Sequence, residues 1–233
     1  MKIFSTLVGL LLLTQTVAAA TPVGTYYQVN VTNPAAVVAA LDAYADSPTG
    51  QKNPATVTLF QITSNGTNPA THAISVSFAS AEDMDRSRAL NMASKDFAAM
   101  QASMAGAMTP VSESMFRGTG VTAGSPAAIT SDNPVARFIL MDVQDPAAYV
   151  AAWTKMMASR DSDLPSYLSQ IMAAGTADTS HVVSIFANNM AEMMALADAN
   201  QGNPAWAEFL ASVKGIRAIE DDAMVVRVKS WAN

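Results

Sequence analysis

The segment Asn33-Pro34-Ala35-Ala36-Val37-Val38-Ala39-Ala40 returns 112 positions later as Asp145-Pro146-Ala147-Ala148-Tyr149-Val150-Ala151-Ala152, with six of eight residues unchanged. Further matches follow in the same order at a spacing of 109: Gln61 and Gly66 with Gln170 and Gly175, His72 and Ser75 with His181 and Ser184, Ser103 and Gly106 with Ser212 and Gly215. Matches that stay collinear along the chain mean that one structural unit is written twice. The fold must then be assembled from two related pieces of about 100 residues, each a common size for a small domain.

Each piece has the same internal plan. Residues 25–32 alternate Tyr27, Val29 and Val31 with Tyr26, Gln28 and Asn30, the period of a half-buried strand. Asn33 is a helix cap and Pro34 fits the first helical position, where its missing N–H costs nothing. Val37, Val38, Leu41 and Tyr44 then share one helical face. After a loop over 46–54, strands are predicted at 57–63 and 72–79, a long helical stretch at 81–107, and a fourth strand at 115–118. The second unit repeats this with strands at 138–143, 167–172, 181–186 and 224–228. Its first helix follows Asp145-Pro146 and carries Tyr149, Trp153 and Met156, and its second is interrupted near Gly202-Asn203-Pro204. The pattern is α+β, two ferredoxin-like β-α-β-β-α-β repeats with antiparallel sheets and both helices on one face. The first repeat covers 21–120, a linker rich in Gly, Thr, Ser, Ala and Pro covers 121–134, and the second repeat covers 135–233.

Residues 1–20 combine Lys2, an apolar run through Leu10-Leu11-Leu12-Leu13 and Ala18-Ala19-Ala20, the pattern of a secretory signal peptide. The expected location is periplasmic or secreted, with no membrane attachment after cleavage, since no other segment approaches the roughly 20 apolar residues of a span. The chain has no cysteine, so it stands on its core without disulfides. Setting Lys2 aside leaves 12 basic residues against 19 acidic ones, with no basic cluster to offset them. Nucleic acid is therefore not an expected partner.

Two β-α-β-β-α-β units in tandem, with a Gly-x₅-His pattern in each (Gly66 to His72, Gly175 to His181) and an aromatic residue in each second helix (Phe97, Trp206), resemble the dimeric α/β-barrel superfamily with its halves fused. The resemblance extends to its proteins of the antibiotic-biosynthesis-monooxygenase type that have no assigned function. It implies that the two sheets face one another as a pseudo-dimeric α/β barrel, and that the molecule is a monomer because its dimer interface is internal. It also implies a range of activities, from cofactor-free monooxygenases to haem enzymes and isomerases.

Strand parity sorts the first strands into two faces. Tyr27, Val29, Val31 and their counterparts Ile139, Met141, Val143 suit the helices. Tyr26, Gln28, Asn30, Phe138, Leu140 and Asp142 then face the space between the sheets. The predicted ligand-binding residues are Tyr26, Gln28, Asn30, Asp142, Ser75 and Ser184, and the expected ligand is small and apolar or aromatic. His72 and His181, the only histidines, occupy equivalent positions after a hydroxyl residue, and with Asp142 they are the candidates for any catalysis. They are read either as general bases or as strand-start residues that hydrogen-bond locally. The parity they share with Ile74, Val76 and Phe78 places them toward the helices. Met84, Met92, Met100, Met104 and Met108 follow one helical face approximately. They could offer thioethers to Cu(I) but read as core filler, so no metal is expected. Neither histidine is marked as a haem ligand, so no cofactor is expected. The sequence thus supports a non-catalytic ligand-binding or scaffold barrel. The alternative is a cofactor-free monooxygenase-like enzyme acting on a small aromatic or ketone substrate.

Overall fold

The computed structural model describes residues 21–232. The signal-peptide reading of 1–20 lies outside the described residues. The first unit runs β1 (Val23–Val31), α1 (Pro34–Ala45), β2 (Thr56–Ser64), β3 (His72–Phe78), α2 (Ala81–Met92), α3 (Lys95–Met104) and β4 (Met108–Ala123). The second runs β5 (Val135–Val143), α4 (Pro146–Ala158), β6 (Ser166–Ala173), β7 (His181–Ala187), α5 (Met190–Gly202), α6 (Pro204–Val213) and β8 (Arg217–Trp231). Among the described residues, no helix is long and apolar enough to cross a membrane.

Local chemistry sets these boundaries. The Asn33 side chain accepts from the Ala36 amide at 3.1 Å and Asp145 from Ala148 at 3.0 Å, each followed by proline at the first helical turn. The helical stretch expected over 81–107 is two helices, because Ser94 accepts from the Phe97 amide at 3.1 Å and starts α3 afresh. The same break recurs in the second unit, where Asn203 caps α6 and Pro204 follows.

The eight strands close into one antiparallel barrel in the order β1-β3-β2-β8-β5-β7-β6-β4. Each unit contributes the ferredoxin-like order β4-β1-β3-β2, and the units join through β2 with β8 and through β4 with β6. The joints are built by length. β4 pairs with β1 over Met108–Arg117 and with β6 from Met115 onward, so one strand serves its own unit first and the other unit afterwards. β8 does the same, with β5 up to Val226 and with β2 from Met224 to Trp231.

These two strands are longer than the predicted segments 115–118 and 224–228. In β4, Pro110 sits at a register shift opposite Val29, where a missing N–H is tolerated, and a second shift lies between Gly118 and Thr122. Because β4 continues to Ala123, the expected linker at 121–134 begins inside a strand.

Apolar side chains then form three layers. α1 and α3 cover Val29, Val31, Leu59 and Ile74 on the outside of the first sheet. On the second sheet, Tyr149 and Trp153 of α4 and Phe209 of α6 cover Met141, Val143, Leu168 and Val183. Between the sheets lie Phe60, Ala73, Ala136, Phe138, Ala223 and Val225.

Candidate functional site

The inward faces of the strands enclose a cavity of about 400 Å³. An aromatic cluster forms part of its wall, with Phe138 as the hub: ring centroids lie 5.3 Å away for Tyr26, 5.6 Å for Phe60 and 6.1 Å for Phe186, and Tyr167 lies 6.0 Å beyond Phe186. Tilted and edge-on contacts of this kind fix ring orientations and leave flat faces available to a planar guest. The cavity reaches the surface beside Pro22 and Gly120, both exposed.

Two cross-strand rows carry part of its polar lining, with Ser77, Thr122, Ser169 and Arg227 outside them. In the first unit, Tyr26 pairs with Ser114 on one side and Ser75 on the other, and Ser75 pairs with Thr58. In the second, Phe138 pairs with Ala223 and Ser184, and Ser184 pairs with Tyr167. These are equivalent positions of the repeat, yet only the serines 75 and 184 are the same. Tyr26 stands for Phe138 and Thr58 for Tyr167, while further along the wall Phe60 stands for Ser169 and Ser77 for Phe186. The halves have the same backbone plan and different linings. Among the described residues, the hydroxyls of Ser75 and Ser184 carry no side-chain hydrogen bond, which leaves them free for a guest. The Tyr26 hydroxyl is buried without a partner. Burial, and secondarily the charge of Asp221, raise its pKa well above the usual phenol range, so it stays protonated.

The structure brings Tyr26, Ser75 and Ser184 to the cavity wall, and it places Gln28, Asn30 and Asp142 elsewhere. All six have inward parity; position along the strand separates them. Gln28 is consumed in closing the barrel end. Its Nε2 donates to Asp221 at 3.1 Å, and its Oε1 accepts from Asn68 at 2.9 Å and from Ser112 at 2.8 Å. Asn30 and Asp142 lie one step further, at the strand ends, and Asp142 accepts from the Gln144 side chain. Parity places a residue on a face without saying how far the cavity extends along it. Phe60, Tyr167, Phe186 and Arg227 line the cavity as well, beyond the residues expected from the first and third strands. The parity rule applied to β2, β6 and β7 would have reached the first three.

His72 and His181 lie in the helix-facing layer, 6% and 4% exposed. The Nδ1 of each is 3.0 Å from the preceding hydroxyl, Thr71 or Ser180. Those hydroxyls accept in turn from the Val31 and Val143 amides at 2.9 and 2.8 Å. This is a repeated local brace at the end of the first strand. The five methionines are spread over three elements, Met84 and Met92 on α2, Met100 and Met104 on α3 and Met108 opening β4, and Met100, Met104 and Met108 pack in the apolar layer under α1 and α3.

Burial lowers both imidazole pKa values, with the charge of Asp142 partly opposing this at His181. A depressed histidine favours folding above its unfolded pKa of about 6.5, and that contribution is lost as pH falls through the folded value. The melting temperature is therefore expected to drop between pH 7 and 5. The His72→Gln/His181→Gln double variant should show a flatter profile over that range in a pH series of thermal melts. An unchanged slope in the variant would assign the loss to other groups.

Neither a family model nor a curated protein matches the chain. Solved structures do. A provisionally assigned monooxygenase from Fusobacterium nucleatum superposes with a TM-score of 0.65 at 10% identity, covering 93% of this chain and 96% of that one. An anthrone oxidase-like protein gives 0.59 at 12% identity, covering 92% and 94%. A chlorite dismutase variant from Candidatus Nitrospira defluvii gives 0.54 at 11% identity, covering 89% and 92%. At such identities the likeness is one of fold, and it spans nearly the whole of each chain. With the closed barrel and the two joined ferredoxin-like sheets, it shows that this chain has the fold of the dimeric α/β-barrel superfamily, with both halves of the barrel on one polypeptide.

Proposed function

We propose that this chain is an exported barrel that binds one small, flat, largely apolar molecule between its two sheets. The observation that carries the reading is the aromatic cavity around Phe138 with the hydrogen-bond-free hydroxyls of Ser75 and Ser184 on its wall. Apolar walls supply the affinity of such a site and a few polar groups set orientation. No His, Asp, Glu or Lys is among the described lining residues, and burial raises the pKa of Tyr167 as it does that of Tyr26. The wall thus favours holding a guest over deprotonating it.

The test is to fill the cavity. Ser184 lies between Phe138 and Tyr167 in the cross-strand row. Ser184→Phe is expected to weaken binding of a bicyclic probe such as 2-naphthol by tenfold or more in calorimetry, while leaving the far-ultraviolet circular dichroism intact. Unchanged affinity would put the probe elsewhere.

A second reading is supported by the names of the solved relatives: cofactor-free oxygenation of an activated methylene, as the anthrone oxidase-like protein suggests. In that reaction the substrate CH₂ becomes C=O, one atom of O₂ entering the product and the other leaving as water. Oxygen uptake above the spontaneous rate with anthrone, abolished by Ser184→Phe, would favour this reading over simple binding.

A further inference from the structure

We propose that the guest is an aromatic carboxylate, its acid group at Arg227 and its flat body along Phe138. This rests on the binding reading above and adds the guest's charge and direction.

Among the described residues, Arg227 is the one charged residue lining the cavity. Its repeat equivalent is Gly118, so the charge stands on one side of the barrel only. Arg86, Arg137, Lys155 and Lys229 each have a carboxylate within ion-pair distance. Arg227 is half-buried and has none among the described residues. Its Nε donates to the Asp132 carbonyl at 3.2 Å and its Nη2 to the Ser131 carbonyl at 3.0 Å. The Arg227 amide donates to the Pro134 carbonyl at 2.9 Å. Neutral acceptors thus hold the guanidinium in place without cancelling its charge, and Nη1 has no hydrogen bond among the described residues.

A fixed, unneutralised guanidinium beside apolar surface is a strong partner for a carboxylate, because little side-chain freedom remains to be lost on binding. The formal charge of the chain is −6, so its overall field repels anions and any attraction must be local to this site. Arg227 lies toward the end of the cavity where Pro22 is exposed, so a carboxylate there keeps part of its hydration. Further in, the wall offers aromatic rings and the uncharged hydroxyls of Ser75 and Ser184. A second negative charge would find no cation there, which makes the guest a monoanion.

2-Naphthylacetate and 2-naphthylacetamide differ in charge and little else. Titrated calorimetrically into the full chain at low salt, the acid is expected to bind about tenfold more tightly or better than the amide, and its advantage should shrink as salt rises. In Arg227→Gln the two should bind alike, near the amide's original affinity. Equal binding of acid and amide to the unmodified chain would overturn the charge assignment and leave the aromatic-binding reading standing. Binding of neither would overturn both. Full preference for the acid in Arg227→Gln would likewise refute the role of Arg227. Should the glutamine variant melt early, Arg227→Lys supplies the deciding measurement: a several-fold preference for the acid is expected there, and its complete loss in a folded lysine variant refutes charge recognition.

Discussion

Truncating Trp153 to alanine is expected to remove about 3–5 kcal/mol of folding free energy, the usual cost of emptying a large aromatic site in a close-packed core. Trp153 is 2% exposed and is packed with Tyr149, Met156, Phe209 and Val213 in the layer that seats α4 on the second sheet. Domains of ordinary stability hold about 5–15 kcal/mol, so this one change consumes a large share. Urea denaturation should show the midpoint falling with little change in slope. The repeat equivalent is Leu41, 5% exposed in the first unit's matching layer. Its truncation is expected to cost less, since fewer buried atoms are removed. A Trp153→Ala loss below about 1 kcal/mol would mean that the helix layer closes over the gap.

The second large effect concerns the joints. A chain comprising only residues 21–123 would lose every β2 to β8 and β4 to β6 pairing. It would expose two strand edges together with Phe60 and Ala73 of the inner core. Unpaired edges beside an apolar face recruit partners. The fragment is expected to appear in light scattering as a homodimer or as aggregate, while the full chain is expected to run as a monomer. A stable, soluble monomeric fragment would show that the first unit's own helix-on-sheet layer suffices without the joints. In a homodimer of the fragment, β4 would take up the β2 edge of its twin, the joint that β8 now makes.

The regular parts of this molecule were legible because their signals are local. Alternation along β1 assigns Tyr27, Val29 and Val31 to the helices and Tyr26 to the interior from parity alone, and β5, apolar on both faces over Phe138-Ile139-Leu140-Met141, takes its parity from the repeat. Asn33-Pro34 and Asp145-Pro146 marked their helices without ambiguity. The second unit's helix break was visible because Asn203 and Pro204 announce it, whereas Ser94 caps α3 with no proline or glycine nearby. β4 and β8 were foreshortened for a physical reason. Pro110 and Gly118 interrupt one strand, and Glu220-Asp221-Asp222 gives the other an acidic stretch that local patterning reads as loop. In the fold, Asp222 meets Arg137 at 2.8 Å and Asp221 receives Gln28 from the other unit, contacts spanning 85 and 193 positions. Arg227 lies within the strand predicted at 224–228 and shares inward parity with Ala223 and Val225, but parity applied to the first strands alone does not reach it.

The unequal linings of the two halves bear on how a guest would be observed. All eight strands are antiparallel to their neighbours and β1 stands four places from β5, so the axis relating the halves runs along the barrel. In a barrel made of two identical chains, a guest without two-fold symmetry has two poses of equal energy, and each is half-populated. Here Thr58 opposes Tyr167, Ser77 opposes Phe186 and Gly118 opposes Arg227, so that degeneracy is lifted. A bound aromatic molecule should give a single set of resonances in solution, each proton with its own nuclear Overhauser contacts to one half of the chain.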